Sequence, residues 1–308
     1  MKIWYQPLLG LFLFCASLPS FAQEEDDLFD ILDEEQPTTY ASATFKGTRI
    51  INLQSNELPA QGVLQFMISH RFGPVNDDFL YNFFGLDVAQ IRLGLDYSPL
   101  PWLNVGIGRS SATKTYDGFA KIRILRQSQG GRNFPLSVVW YSSMNYTTLK
   151  WTDDLPHNES DRLSYVHQLI LARKFNESIS FELVPSYTHF NLVETNEQPN
   201  DIFSLGFGGR VKITNRVALT AEYMLQMPPN TYLDNGQLVE YNNALSVGVD
   251  IETGGHVFQL HVTNSRSLAD PFWMNRTPGS WGNGDIYFGF NISRVFTLVK
   301  PKMPESQF

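Results

Sequence analysis

Apolar and polar residues alternate one by one along most of this chain. In residues 87–97, Ala89, Ile91, Leu93, Leu95 and Tyr97 fall on one face, and Val88, Gln90, Arg92, Gly94 and Asp96 on the other. Residues 203–213 set Phe203, Leu205, Phe207, Val211 and Ile213 against Ser204, Gly206, Gly208, Arg210 and Lys212. Residues 217–227, 245–252 and 286–293 repeat the pattern. A period of two marks a β-strand, whose successive side chains point to opposite faces. The alternation predicts strands near 62–72, 87–98, 102–111, 115–127, 134–147, 161–175, 179–193, 201–213, 217–227, 241–252, 256–266 and 284–295. Most are longer than the five or six residues usual in soluble sheets, and long enough to cross a membrane at a tilt.

The links between these strands alternate in length. Ser98–Pro101, Asn176–Ser178, Thr214–Arg216 and Thr253–Gly255 are tight, while 73–86, 148–160, 194–200, 228–240 and 267–283 are mostly long. Residues 127–133 are intermediate, and 112–114 are short where a long link is expected. Short turns on one side and long loops on the other describe a transmembrane up-and-down antiparallel β-barrel, with both chain ends in the periplasm. The expectation is an all-β barrel of about twelve strands, within a range of roughly ten to fourteen. Two stretches do not fit cleanly. Residues 44–54 (TFKGTRIINLQ) resemble a further strand that packs inside the barrel, lies beneath it, or alters the count. In 161–175, Leu169, Ile170 and Leu171 are consecutive, so neither face is cleanly apolar.

The N-terminus places the barrel in an exported protein. Lys2, the apolar run Leu8–Ala16 and the small-x-small step Ser20-Phe21-Ala22 predict a signal peptide over 1–22, cleaved after Ala22. The destination expected is the outer membrane of a Gram-negative cell. The only cysteine, Cys15, lies in that segment, so the mature chain has no thiol for disulfides, metal or nucleophilic chemistry. Eight of the 31 acids crowd into Glu24–Glu35, and the remaining chain is near neutral. Residues 23–43 therefore read as an acidic periplasmic leader, 44–298 as the barrel domain and 299–308 as a periplasmic tail. Leu28, Phe29, Ile31 and Leu32 interrupt the acids and could dock the leader on a basic periplasmic protein partner. Nothing resembles a basic nucleic-acid surface. Trp102, Trp140, Tyr141, Tyr146 and Trp151 are candidates for an aromatic girdle at the lipid interface.

Several stretches resemble a known family. Tyr81–Asp87 (YNFFGLD), Gly108–Gly118 (GRSSATKTYDG), His167–Asn176 (HQLILARKFN), Asp250–Asn264 (DIETGGHVFQLHVTN) and Gly284–Phe296 (GDIYFGFNISRVF) are similar to bacterial β-barrel proteins of domain of unknown function family 5777. The resemblance spans residues 40–298 and implies a single exported barrel domain, with no activity attached.

The predicted inner faces collect charge. Arg71, Arg92, Asp96, Asp117, Lys121, Arg123, Glu182, Arg210, Lys212, Glu222, Asp250, Glu252 and His261 are the candidate lumen residues. An Arg or Lys facing lipid at mid-depth would cost about 2–4 kcal/mol, so these charges fix which face is inside. Lys121 and Arg123, facing Arg210 and Lys212 across an open lumen, would favour anions unless Asp250, Glu252 and Glu222 neutralise them. Loop 267–283 carries Phe272, Trp273 and Trp281, candidates for a constriction or a structural lid. The histidines are scattered, and no G-x-S-x-G or phosphate-binding glycine loop occurs, so no metal, cofactor or catalytic residue is assigned. Three functions stay open: a porin-like channel for small solutes, a non-conducting barrel anchoring a periplasmic or surface partner, and, least favoured, an outer-membrane enzyme.

Overall fold

The computed structural model describes residues 37–78, 80–151, 155–193, 195, 197–234, 237–253 and 256–300. The predicted signal peptide, the acidic run with Leu28, Phe29, Ile31 and Leu32, and residues 301–308 lie outside the described residues.

Twelve strands close into one antiparallel barrel. They are β1 (Val63–Pro74), β2 (Ala89–Leu100), β3 (Leu103–Ser110), β4 (Thr115–Leu125), β5 (Ser137–Thr147), β6 (Leu163–Lys174), β7 (Ile179–Phe190), β8 (Asp201–Lys212), β9 (Val217–Met227), β10 (Ala244–Thr253), β11 (His256–Thr263) and β12 (Tyr287–Thr297). Each pairs with its neighbours in sequence, and β12 returns to β1 with Thr297 opposite Val63. Closure pairs every strand on both sides, which an apolar surrounding demands because it offers no water to an open edge. All twelve predicted strands are present, with ends moved by a few residues. Among the described residues no helix is long and apolar enough to cross a membrane.

The tight links 101–102, 175–178 and 213–216 lie at one end, here the turn end, together with the longer link 126–136. Links 75–88, 148–162, 191–200, 228–243 and 264–286 and the short link 111–114 lie at the loop end. The chain enters β1 and leaves β12 at the turn end. There Gly62, at φ +76°, accepts the N–H groups of Leu298 and Val299. A Cβ on Gly62 would sit 2.2 Å from the Val299 carbonyl oxygen, so this crossing requires glycine.

The alternation sorts as the physics of a lipid-facing wall requires. Ile91, Leu93 and Leu95 of β2, Ile107 of β3, Leu219 of β9, Val247 of β10 and Leu260 of β11 point outward and are exposed. Gln90, Arg92 and Asp96, on the opposite face of β2, are buried. An apolar belt of this extent is unusual on a soluble monomer.

The inside is not empty. Residues 44–57 fold into a tight hairpin, closed by Ile50 N–H to the Leu53 carbonyl (2.8 Å) and Ser55 N–H to the Thr48 carbonyl (3.0 Å). Its Ile50, Ile51 and Leu53 are fully buried against residues of the barrel's inner wall. Of the three placements open for 44–54, the structure shows the internal one. From the loop end, the short helix α1 (Asp270–Asn275) also turns inward, with Trp273 and Met274 buried. α1 explains the ambiguous stretch in β6. Ile170 faces inward and joins the same buried cluster as Met274, while Leu169 and Leu171 sit on the outer face. One aromatic expectation is corrected. Tyr141 is fully buried inside the barrel rather than in a girdle, because its hydroxyl donates to Asp270. Trp102 and Trp140 are exposed on the outside.

Candidate functional site: the filled interior

The hairpin is held by a ring of polar side chains from the wall. Glu222 of β9 is at the centre. Its carboxylate accepts the backbone N–H groups of Ile51 (3.0 Å), Asn52 (2.9 Å) and Leu53 (2.8 Å), and the Asn52 side-chain amide (2.7 Å). Successive N–H groups converging on one anion form a nest, a concave anion site made by the backbone itself. Lys121 of β4 grips the other side, donating from Nζ to the carbonyls of Thr48 (2.9 Å), Ser55 (3.1 Å) and Glu57 (3.4 Å). Arg71 of β1 donates to Asn52 Oδ1 (2.9 Å) and lies 3.1 Å from His261 Nε2. Asn291 donates to the Ile51 carbonyl at 2.9 Å, and Lys46 pairs with Glu252.

The wall also makes room for the hairpin's apolar tip. Three glycines face inward beneath it. A Cβ at Gly208 would lie 2.1 Å from Ile50 Cδ1, one at Gly206 3.1 Å from Leu53 Cδ1, and one at Gly248 3.1 Å from Ile51 Cδ1. The glycines of β8 and β10 are thus holes into which the three side chains fit.

Hairpin and helix meet at one buried ion pair. Arg49 Nη1 donates to Asp270 Oδ1 at 2.7 Å and to the Asn52 carbonyl at 2.8 Å. Asp270 also accepts from the Tyr141 hydroxyl and from Trp273 Nε1 (3.1 Å). Burial alone would raise the Asp270 carboxyl, but the charge of Arg49, its hydrogen bond and that of Tyr141 bring it down to about 2. Burial likewise opposes the charge on Arg49, and Asp270 reverses this, holding the guanidinium above its ordinary value.

Of the predicted lumen residues, Arg71, Arg92, Asp96, Asp117, Lys121, Glu182, Arg210, Glu222, Asp250 and His261 are buried within the barrel. Arg123, Lys212 and Glu252 are half-buried. Arg92 pairs with Asp117. Lys121 and Arg123 do not face Arg210 and Lys212 across open space. The hairpin stands between them, bonded to Lys121 on one side and packed over Gly208 on the other. Of the loop aromatics, Trp273 is buried on α1. Phe272 is half-buried and edge-on to Phe190, with ring centroids 5.9 Å apart. Trp281 is half-buried and donates to the Leu245 carbonyl at 3.1 Å.

The residues that sequence reasoning passed over are Arg49, Asn52 and Asp270. Asp270-Pro271 carries a usable signal, since an acid followed by proline commonly opens a helix. Arg49 and Asn52 carry none, because their partners are remote in sequence.

A closed antiparallel wall, apolar outside and polar inside, defines a membrane β-barrel, here with its interior occupied by its own chain. Residues 45–296 match the family described as "Membrane bound beta barrel domain (DUF5777)". The chain belongs to that family. No curated protein matches it significantly. Among solved structures it is similar to the KdgM porin, at 9% identity, with 76% of this chain and 99% of that one covered and a TM-score of 0.45. It is similar to an outer membrane channel from Pseudomonas putida F1, at 13% identity, 78% and 97% coverage and a TM-score of 0.45. The Acinetobacter baumannii outer membrane protein Omp33 is similar at 10% identity, 77% and 100% coverage and a TM-score of 0.40.

Proposed function

We propose that this protein is an outer-membrane barrel held closed by its own N-terminal hairpin, acting as a membrane-seated anchor rather than an open pore. One observation carries the reading. Inward side chains on all twelve strands are buried. They include Ser69, Arg92, Asn104, Lys121, Asn145 and Gln168 on β1–β6, and Glu182, Arg210, Glu222, Asp250, His261 and Asn291 on β7–β12. A water-filled pore would leave such a ring accessible. With the short turns on the periplasmic side, the chain enters the barrel from the periplasm. The acidic leader, with Leu28, Phe29, Ile31 and Leu32, is the segment we assign to a basic periplasmic partner.

Planar-bilayer recording on the full chain tests closure. The expected trace is silent, and deletion of 44–57 opens steady conductance. Ohmic conductance from the unaltered protein would overturn the closed reading. Deletion of 24–35 tests the anchor, which fails if every co-purifying protein stays bound. A second reading, passage of small solutes after the hairpin withdraws, is favoured by the charged wall beneath it, Arg71, Lys121 and Glu222 among it. That reading requires brief openings in the unaltered protein.

A further inference from the structure

Outside the filled interior, one groove combines cationic and apolar lining. It has a volume of about 360 Å³ and lies at the turn end, between the β2–β3 turn and link 126–136. Arg123, Arg126 and Arg132 line it with Tyr40, Trp102 and Phe134, and no acidic side chain does. Arg126 stacks over the Tyr40 ring at 4.5 Å, and Arg123 donates to the Pro101 carbonyl at 3.0 Å. Arg132 bonds Thr38 through its backbone N–H, and its guanidinium has no partner among the described residues.

The groove opens on the outer face of the wall. Ile124 and Leu125 form part of its lining, and both are exposed at a register shift late in β4. From there Ile122, Val105 and Ile107 continue the exposed face of β3 and β4 away from the turn end. Cations at a membrane rim with an apolar strip leading away from them match one ligand chemistry: a phosphate-bearing anionic headgroup attached to an acyl chain. We propose that this groove is a binding site for an anionic phospholipid, its headgroup on Arg126 and Arg132 and its chain along Ile124 and Ile122. Basic clusters beside a membrane-spanning segment attract anionic lipid by about 1 kcal/mol per cation, roughly a fivefold preference each. Trp102 stands at this boundary as interfacial tryptophans do. The site does not depend on whether the barrel conducts.

Quenching of Trp102 tests the proposal. The full chain is reconstituted in phosphatidylcholine vesicles containing brominated phosphatidylglycerol or, at the same fraction, brominated phosphatidylcholine. Trp102→Phe supplies the background to subtract. The expected result is a preference for phosphatidylglycerol of roughly twenty-five-fold, falling roughly fivefold for each of Arg126→Gln and Arg132→Gln. Equal quenching by the two lipids overturns the site, as does a preference that survives the double substitution. Recovery of fluorescence on adding millimolar inorganic phosphate would show a site for free anions and overturn the lipid assignment. If the double variant fails to fold, the unaltered protein still decides. Its preference must weaken as salt rises, and a salt-independent preference overturns the site.

Discussion

Replacing Glu222 by alanine should release the hairpin while leaving the barrel standing. The carboxylate satisfies three backbone N–H groups and the Asn52 amide at 2.7–3.0 Å, all inside the wall. Without it the three backbone N–H groups have no acceptor in place, while the Asn52 amide keeps Ser246 Oγ. A buried donor left unmatched costs about 1–3 kcal/mol, so the loss is roughly 3–9 kcal/mol for the three. The opposing hold is the burial of Ile50, Ile51 and Leu53, worth about 1.5–3 kcal/mol each, together with the Lys121 and Arg49 contacts. The two magnitudes are comparable, so the hairpin should leave for a measurable fraction of the time. Glu222→Gln, which keeps one acceptor oxygen, should fall between. A thiol reports this directly because the mature chain is predicted to contain none. Ser246 is fully buried on β10, 3.2 Å from the Asn52 amide. With Ser246→Cys in place, a water-soluble maleimide should react at least tenfold faster in the Glu222→Ala background than in the parent. Equal rates, with the barrel's heat-dependent gel migration unchanged, would show that the nest does not hold the hairpin.

Other perturbations act on the same assembly. Gly208→Val should expel Ile50, whose Cδ1 lies 2.1 Å from the position of the new Cβ, and overpacking of this kind costs about 1–3 kcal/mol; the Ser246→Cys labelling rate reads it. Asp270→Asn leaves Arg49 buried without its counter-charge, and should lower thermal stability by about 3–5 kcal/mol in a scan of the detergent-solubilised barrel. The same carboxylate predicts a pH dependence. Its folded value, about 2, lies below the ordinary 3.8, so its contribution of about 2 kcal/mol is complete above pH 4 and is lost as pH falls towards 2. The stability difference between parent and Asp270→Asn should narrow by about 2 kcal/mol across that window. Tyr141→Phe should cost about 1.5–3 kcal/mol in the same scan, one hydrogen bond to a charged group having been removed.

The wall was legible in the sequence because lipid imposes a rule on every second residue. Ile91, Leu93 and Leu95 must be apolar, whereas Gln90, Arg92 and Asp96 are released from that demand, and the contrast survives in one dimension. Where the inside is also apolar the contrast fades. Ile170, Val139 and Val184 face inward because α1 and the hairpin supply them with apolar partners, so their strands lose the alternation that marks the others. Tyr141 was misread for the same reason. A tyrosine in a strand fits a lipid interface equally well until Asp270 appears beside its hydroxyl.

The plug was harder to read, and the reason is physical. Its tip, Ile50-Ile51-Asn52-Leu53, has strand-like composition. What makes it a plug is a set of contacts to β1, β4, β9 and β12 that no local pattern encodes. The Arg49–Asp270 pair joins a residue that precedes β1 to one in the link between β11 and β12. It is also the contact that gives the interior its logic. The hairpin belongs to the turn end and α1 to the loop end, and each contributes one member of a buried, hydrogen-bonded ion pair. Withdrawing either segment alone strands a charge inside the wall, at a cost larger than one ordinary contact. The two closures are therefore coupled. Whatever opens this barrel must move both segments or first neutralise Asp270, and the depressed carboxyl makes the second route inaccessible at neutral pH.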